Sequence, residues 1–464
     1  MARGKKKETL TSEERLQAAL VPASEQPYPV PENWCWTYIK FGFDVTSSKR
    51  VHKEDWLSQG IPFYRTRELV KLSENGCVDN ELFISEKLYN SFVAEYGVPQ
   101  KGDLLISGVG TIGVPCVINE NQKFYFKDGN IIWFKNRGLF HPKYVYFLYK
   151  STFIDNQIHQ MSSGTTVDTY TIINANATVV PLPPFSEQQR IIDRIESLFA
   201  KLDEAKQKAQ DALDSFETRK AAILHRAFTG ELTAQWRKEH GVGMESWEAR
   251  TSTQLFEYVT SGSRGWAKYY ADNGDIFVRM GNLNHGTIEL DLSDIQYVNL
   301  PGQTEGQRTK LQKNDILISI TADIGMVGIV REMEQNAYIN QHIALARPTA
   351  KDNAEFLAWY LISDVGLQQM RNKQRGATKI GLGLDDIRSL ELLIPTREEQ
   401  DEVVYILDNL LANEQQAKEV AEGVMEQIDL IKKAILARAF RGELGTNDPS
   451  EESAVELLKQ ISSC

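Results

Sequence analysis

The sequence Lys220-Ala-Ala-Ile-Leu-His-Arg-Ala-Phe-Thr-Gly-Glu-Leu232 occurs a second time as Lys432-Lys-Ala-Ile-Leu-Ala-Arg-Ala-Phe-Arg-Gly-Glu-Leu444. The two copies are 212 residues apart (432 minus 220). Three further pairs keep this offset: Gly102–Ser107 with Asn314–Ser319, Gly164–Thr166 with Gly376–Thr378, and Glu187–Gln188 with Glu399–Gln400. Two helices of similar composition would not also share strand-like segments about a hundred residues earlier in the chain. The sequence therefore predicts an internal duplication, with two domains related by pseudo-two-fold symmetry.

Each half is predicted to begin with a mixed domain of short strands and helices. β-rich apolar segments bounded by Gly, Asn and Asp predict strands, and apolar residues at helical spacing predict one helix in each half. The predicted strands are Asp103–Ser107, Asn130–Phe134, Asp315–Ser319 and Tyr338–Ala346, and the predicted helices are His141–Gln157 and Glu355–Met370. The fold class is thus α+β, with two mixed α/β domains in tandem, each followed by a long helix.

The long helices are predicted to start after Pro184 and Pro395. Ser186 with Gln189, and Thr396 with Glu399, have the spacing of helix capping boxes. Gly230 and Gly442 are predicted to end the helices as C-caps.

Apolar residues then recur at alternating three- and four-residue steps, as in a coiled coil. The predicted seam is Ile191, Ile195, Leu198, Leu202, Ala205, Ala209, Ala212, Phe216 and Ile223, with Val403, Leu407, Leu410, Ala417, Ala421, Val424, Ile428, Ile431 and Ile435 in the second copy. Arg219 and Glu414 interrupt this seam. Antiparallel pairing of the two helices would close the pseudo-symmetry, and homodimerisation through the seam is the alternative.

Six segments are predicted along the chain. They are an N-terminal helical arm with a Pro-rich linker (1–30), the first mixed domain (31–184), the central long helix (185–240), the second mixed domain (241–396), the distal long helix (397–445) and a C-terminal short helix (446–464). Glu8–Leu20 and Glu451–Ile461 are the predicted short amphipathic helices.

Composition excludes several classes of protein. With 42% hydrophobic and 25% charged residues, the 464-residue chain has the composition of a globular protein. It has no apolar run long enough for a transmembrane helix, and its polar N-terminus does not predict a secretory signal, so we expect a soluble cytoplasmic protein. Four scattered cysteines exclude a disulfide scaffold and a zinc ribbon. The net charge of −11 indicates that any affinity for nucleic acid is shared with a partner.

Motifs that suggest catalysis fail on inspection. Leu182-Pro-Pro-Phe185 lacks the Asn or Asp that an amino-methyltransferase needs at its first position. Asp203-Glu-Ala-Lys206 has nuclease-like spacing but lies on a predicted helix, where such charges are ordinary surface pairs. Ser107–Gly113 is glycine-rich without the Gly-Lys-Ser/Thr of a phosphate loop, which favours a turn between strands. We therefore predict no catalytic residue and no metal site in this chain.

The arrangement as a whole resembles the specificity subunit of type I restriction-modification enzymes. The resemblance lies in the helix starts Pro183–Gln188 and Pro395–Gln400, the helix ends Ala222–Leu232 and Ala434–Leu444, and the segments Arg279–Leu283 and Tyr338–His342. It covers nearly the whole chain. The first half departs from it, with Arg65-Thr-Arg67-Glu-Leu69 in place of the more typical Arg279-Met-Gly-Asn-Leu283.

This resemblance implies a non-catalytic subunit that binds double-stranded DNA. Two target recognition domains would each read half of a bipartite, asymmetric sequence, and the helices would hold them apart. Two methyltransferase subunits and two restriction and translocation subunits would join the complex. S-adenosylmethionine, ATP and Mg²⁺ would be bound by those partners.

DNA contacts are predicted from residue type and position, because Arg, Asn and Gln pair with base edges while Lys, Ser, Thr and backbone N–H groups favour phosphates. The candidates are Arg65, Arg67, Ser163, Gly164 and Thr165 in the first domain and Arg279, Asn282, Asn284, Arg375, Thr378 and Lys379 in the second. The rival hypothesis is a coiled-coil scaffold that binds only protein.

Overall fold

The chain forms two compact units, Met1–Lys208 with Val424–Cys464, and Ala209–Gly423. A computed structural model describes residues 11–120, 122–162, 168–301, 308–375 and 381–462. Each unit combines one mixed domain with parts of both long helices. Among the described residues, no helix is both long enough and apolar enough to cross a membrane.

In the first unit the strands form three sheets, ordered β1-β9, β2-β8-β5-β6 and β4-β3-β7. All pairs are antiparallel except β3 and β7, which run parallel. The strands are β1 (Cys35–Tyr38), β2 (Phe43–Thr46), β3 (Ile61–Tyr64), β4 (Phe83–Ile84), β5 (Leu104–Ser107), β6 (Pro115–Val117), β7 (Tyr125–Phe126), β8 (Ile131–Asn136) and β9 (Val179–Leu182). The predicted turn at Gly108–Gly113 joins β5 to β6.

The helices of the same unit cover the sheets and include the start of the first long helix. They are α1 (Ser12–Ala19), α2 (Ile39–Gly42), α3 (Thr66–Asn75), α4 (Glu86–Tyr96), α5 (Pro142–Tyr149), α6 (Thr152–Ser162), α7 (Ile172–Ala177) and α8 (Phe185–Asp214).

The second unit repeats this topology, with sheets ordered β10-β19, β11-β18-β15-β16 and β12-β14-β13-β17. Here β13 and β17 form the parallel pair that corresponds to β3 and β7. The strands are β10 (Glu248–Thr251), β11 (Phe256–Ser261), β12 (Tyr270–Ala271), β13 (Asp275–Val278), β14 (Gln296–Val298), β15 (Ile316–Ser319), β16 (Val327–Ile329), β17 (Ala337–Ile339), β18 (Ile343–Pro348) and β19 (Glu391–Ile394). The predicted strand Tyr338–Ala346 is thus two strands, separated by a turn at residues 340–342.

The remaining helices include counterparts of α2, α5, α6, α7 and α8, whereas α3 and α4 have no α-helical counterpart among the described residues of the second half. They are α9 (Phe216–Phe228), α10 (Ala234–His240), α11 (Ser252–Leu255), α12 (Ala354–Ile362), α13 (Asp364–Asn372), α14 (Leu384–Arg388), α15 (Arg397–Ala439) and α16 (Ala454–Ser462). The duplication and the α+β fold class are confirmed.

Within each unit the two long helices pack antiparallel. In the first unit Lys432 and Asp429 of α15 pair with Asp203 and Lys206 of α8, so residue numbers rise along one helix as they fall along the other. In the second unit Arg219 of α9 pairs with Glu414 of α15, and Lys418 of α15 lies over the ring of Phe216, so these helices also run in opposite directions. The two charged residues that interrupt the predicted seam therefore meet each other, at 2.8 Å.

The repeated phenylalanine at each helix end explains why this segment is duplicated. Phe440 packs edge-on against Tyr144 of α5, with 5.4 Å between ring centroids. Phe228 contacts Phe356 and Tyr360 of α12 in the same manner, at 5.4 and 5.0 Å. The end of each long helix thus anchors the mixed domain encoded by the other half of the chain.

The repeated Glu-Gln pairs have two structural roles. Gln188 accepts a hydrogen bond from the backbone N–H of His141 at 2.7 Å, and Gln400 accepts one from Asn353 at 2.8 Å, which ties each long helix to the mixed domain preceding it. Glu187 and Glu399 are fully buried. They accept hydrogen bonds from the hydroxyls of Thr446 and Thr233, residues that follow the end of the opposite helix.

Several predicted helices are shorter than expected. The helix predicted at His141–Gln157 is broken before Thr152, and that predicted at Glu355–Met370 is broken at Ser363, whose hydroxyl accepts from the N–H of Gly366. The central helix is interrupted at Ser215 and again at residues 229–233. The break at Ser215 was not predicted, whereas the end at Phe228, followed by Gly230 with a φ of 78°, agrees with the predicted C-cap.

Of the two predicted N-cap residues, Ser186 and Thr396, only Thr396 caps its helix. Ser186 is not an N-cap, because α8 already begins at Phe185, and its hydroxyl donates to Glu451 at 2.7 Å. Thr396 does cap α15, accepting from the N–H of Glu399.

The predicted seam is only partly covered. Four of its apolar residues are exposed, namely Ala205, Ala212, Ala417 and Ile431, and the other apolar positions are buried or half-buried.

Candidate nucleic-acid interface

In the second unit, four chain segments meet along one edge of the mixed domain. Because β13 and β17 run parallel, their carboxyl ends lie together, and the N–H of Asn340 donates to the carbonyl of Val278 at 3.2 Å. The N–H of Ile320 donates to the backbone carbonyl of His342 at 3.0 Å, and the N–H of Leu382 donates to the carbonyl of Ile320 at 2.9 Å. We call this row of strand ends and turns the second edge (residues 279–285, 320–325, 340–342, 375 and 381–382).

The first unit has the same hydrogen-bonded framework at the corresponding positions. Three backbone N–H groups donate to backbone carbonyls here: Lys127 to Tyr64 at 2.9 Å, Gly108 to Asn130 at 2.8 Å, and Tyr170 to Gly108 at 2.9 Å. We call this row the first edge (residues 65–68, 108–113, 127–130 and 169–170). The same backbone framework is therefore present in both halves, although the side chains differ.

The predicted contact residues of the second edge have different roles. Arg279 is half-buried, and its guanidinium pairs with the carboxylate of Asp294 at 3.1 Å. Asn284 is exposed. Asn282, by contrast, is buried: its side-chain oxygen accepts from the N–H of Arg279, and its amide donates to the carbonyls of Asp291 and Asp294. Asn282 therefore positions the loop that carries Arg279, and this structure does not present it to a ligand.

In the first edge, Glu68 occupies the position of Asn282. Its carboxylate accepts from the N–H of Arg65 at 3.0 Å, as Asn282 does for Arg279. It also accepts from the guanidinium groups of Arg65 and Arg67, each at 2.6 Å. Burial raises the pKa of Glu68, but these hydrogen bonds outweigh burial and lower it to about 2. The carboxylate is thus charged at neutral pH and holds both arginines at the edge.

The predicted contact residues in and beside the repeated segments Gly164–Thr166 and Gly376–Thr378 lie mostly outside the described residues. Ser163, Gly164 and Thr165 in the first domain and Thr378 and Lys379 in the second lie outside the described residues. Arg375 is described: its side chain is 80% exposed, and its guanidinium pairs with the carboxylate of Asp386 at 2.8 Å. Its backbone pairs with Gly381, which in turn pairs with Thr321 of the second edge.

Sequence reasoning missed the turn between β17 and β18 as a source of contacts. Both ring nitrogens of His342 are hydrogen-bonded: Nε2 accepts from the amide N–H of Gln341 at 2.8 Å, and Nδ1 bonds the hydroxyl of Thr321 at 2.6 Å. Asn340 accepts from the N–H of His342. The segment Tyr338–His342 was noted only as part of a resemblance, and its nearness to Arg279 depends on the parallel strand pair.

Together the two edges hold guanidinium, amide, imidazole and hydroxyl groups, which are the side chains that pair with base edges and phosphates. In the described part of the chain, no three His, Cys, Asp or Glu residues are grouped so that they could hold a metal ion. The arrangement suits recognition of a nucleic acid.

The family model for the type I restriction modification DNA specificity domain matches the chain twice, over residues 43–213 and 244–422. The chain belongs to this family. It is 26% identical to the type I restriction enzyme EcoBI specificity subunit of Escherichia coli, over 91% of this chain and 89% of the relative. A 159-residue stretch is 33% identical to a putative type I specificity subunit of Haemophilus influenzae, covering 33% of this chain and 38% of that protein.

Solved structures share the fold. The HsdS subunit from Thermoanaerobacter tengcongensis aligns with a TM-score of 0.61 at 18% identity, covering 90% of this chain and all of that chain. A chain solved in a study of complex assembly and conformational transition of the type I R-M system aligns with a TM-score of 0.66 at 19% identity, with the same coverage. The protein is thus a type I specificity subunit with two recognition domains, and such subunits are the non-catalytic components of their systems.

Proposed function

We propose that this specificity subunit reads a bipartite, asymmetric DNA sequence, with each edge reading one half. The observation that carries this proposal is the duplicated backbone framework of the two edges, which holds different side chains in each unit. Arg65 and Arg67 stand at the first edge, whereas Arg279, Asn340 and Gln341 stand at the second. Joining two recognition domains in one chain raises the effective concentration of the second at its half-site once the first is bound. Each mismatched base pair costs about 1–3 kcal/mol of binding free energy, and the penalties of the two half-sites add.

The long helices would hold the two recognition domains at a fixed spacing as a coiled coil. Both α8 and α15 contribute residues to both units, and α15 is 43 residues long. Exposed apolar residues on α15, such as Tyr405 and Leu430, would be available to partner subunits. Those partners would be two methyltransferase and two restriction subunits, which would bind S-adenosylmethionine, ATP and Mg²⁺. As part of a type I restriction-modification system, the complex would act in the cytoplasm.

The test is single-molecule sequencing of DNA from cells that co-express this chain with its methyltransferase subunit. We expect methylated adenines in one bipartite motif with a fixed gap, and their loss when this chain is omitted. Replacing Arg279 with alanine should remove or relax one half of the motif and leave the other half unchanged, and R65A should do the reverse. A soluble complex that methylates nothing would instead favour the scaffold hypothesis.

The spacing role makes a separate prediction. Inserting four residues, slightly more than one turn, into one long helix adds about 6 Å, or roughly 1.8 base-pair steps of about 3.4 Å. We expect the methylated motif to keep both half-sites and to have a longer gap. Four residues inserted between Asp272 and Asn273, in the exposed turn between β12 and β13, should leave the gap unchanged. An unaltered gap in the helix variant would exclude the spacing role.

A further inference from the structure

An exposed acid stands beside the key arginines of each edge. In the first unit, Glu81 accepts a hydrogen bond from Arg67 and lies 3.8 Å from the guanidinium of Arg65. In the second unit, Asp294 pairs with Arg279 at 3.1 Å. Both acids are mostly exposed, at 70% and 92% of the side chain, whereas Arg65 and Arg279 are 27% and 35% exposed. The positive groups that would meet DNA are therefore partly neutralised in the free protein.

Sheet topology builds the same pairing twice. Arg65 and Arg279 directly follow β3 and β13, and the antiparallel neighbours of these strands are β4 and β14. Glu81 and Asp294 each precede that neighbouring strand by two residues, so strand pairing brings acid and arginine together. The segments between them differ: the first contains α3, whereas the second contains a short 3-10 turn at Met280–Asn282. The pairing thus recurs where the connecting structure does not.

We propose that Glu81 and Asp294 are specificity-determining residues that compete with DNA phosphates for the arginines. A phosphate approaching the pair meets a neutralised cation and a nearby negative charge, so contacts with arbitrary DNA are weakened. A guanine offers two uncharged acceptors, O6 and N7, in the geometry of the guanidinium fork. The correct base therefore draws the arginine away from its acid with less repulsion than a phosphate does. This inference rests on the proposed function.

The test uses the purified complex of the full chain with its methyltransferase subunits and a random-sequence duplex of 30 base pairs. We expect E81Q and D294N each to tighten this binding about two- to fivefold, the range of an exposed ion pair. Affinity should also fall more steeply with salt, by up to about one unit of the log-log slope for D294N, because Arg279 is freed for phosphate. The change should be smaller for E81Q, because Glu68 still holds Arg65 and Arg67. Sequencing should show a more degenerate first or second half of the methylated motif, respectively.

The matched control is E86Q, which removes the same charge from the first unit and breaks the exposed Lys123–Glu86 pair, 3.1 Å long. Binding by E86Q should equal that of the unmodified complex. The proposal is overturned if E81Q and D294N bind random DNA as the unmodified complex or E86Q does, or if they shift only the thermal midpoint. If R65A and R279A leave the motif intact as well, the assignment of the edges themselves has failed. If those two variants lose recognition and the acid variants change nothing, only this inference has failed.

Discussion

Replacing Arg237 with alanine is expected to lower the free energy of unfolding of the second unit by about 3–5 kcal/mol, the cost of leaving one member of a buried ion pair unpaired. Glu399 is fully buried, and the guanidinium of Arg237 reaches it at 2.6 Å while also donating to the carbonyl of Gly230 at 2.7 Å. The other oxygen of Glu399 has no hydrogen-bond partner. Without Arg237, only the hydroxyl of Thr233 would remain to compensate a buried charge.

The measurement is urea unfolding of the full chain, with hydrogen exchange locating the loss in α10 and the first turns of α15. The control is R226A, because Arg226 pairs with Glu231 at 3.4 Å with both side chains more than half exposed. Such surface pairs contribute about 0–1 kcal/mol. Adding E399Q to R237A should recover part of the stability by removing the unpaired charge. Equal losses in R237A and R226A would contradict this assignment.

The duplication and the helix starts were predictable because they rest on residues with local constraints. Pro183, Pro184 and Pro395 end the preceding strands, and the Glu-Gln pairs recur at one offset. The function of those pairs was not predictable. Glu187 and Glu399 reach threonines more than 150 residues away in sequence, and no local pattern indicates which distant residue a buried carboxylate will meet.

The coiled-coil seam shows a similar limit. Periodicity identified Ile191, Ile195, Val403 and Leu407, all of which are fully buried. Ala205 and Ile431 fit the same periodicity but are exposed, so apolar spacing alone does not indicate which seam positions are covered.

The candidate site was predicted in part. Alignment of the halves placed Arg65 with Arg279, and both lie at the edges. Asn282 was interpreted as a base contact from its residue type, but its amide is satisfied within its own loop. Asn340 and His342 were missed because only the parallel pairing of β13 with β17 brings them beside Arg279.

The Gly262→Ala variant is expected to disrupt the second edge. A Cβ on Gly262 would collide with the backbone oxygens of Ile339 and Asn340, which cannot rotate away as a side chain could. To avoid this collision the end of β17 would have to move. That segment carries Asn340, whose N–H donates to the carbonyl of Val278. We expect a loss of about 1–3 kcal/mol in stability, as for an overpacked core. Loss of one base contact, worth about 1–3 kcal/mol, should weaken binding to the methylated motif about 5- to 150-fold.

Gly281→Ala is the matched control, because Gly281 lies in the same edge and a Cβ there would meet nothing within 4 Å. Binding to the motif and to random-sequence DNA should be measured for both variants, together with their urea unfolding. G262A should lose discrimination at the second half-site while keeping the first, since the first edge is built from a separate unit. If G262A bound the motif as tightly as G281A, then the turn at Asn340–His342 would not contribute to recognition, and Arg279 with the Arg375 segment would have to read the second half-site without it.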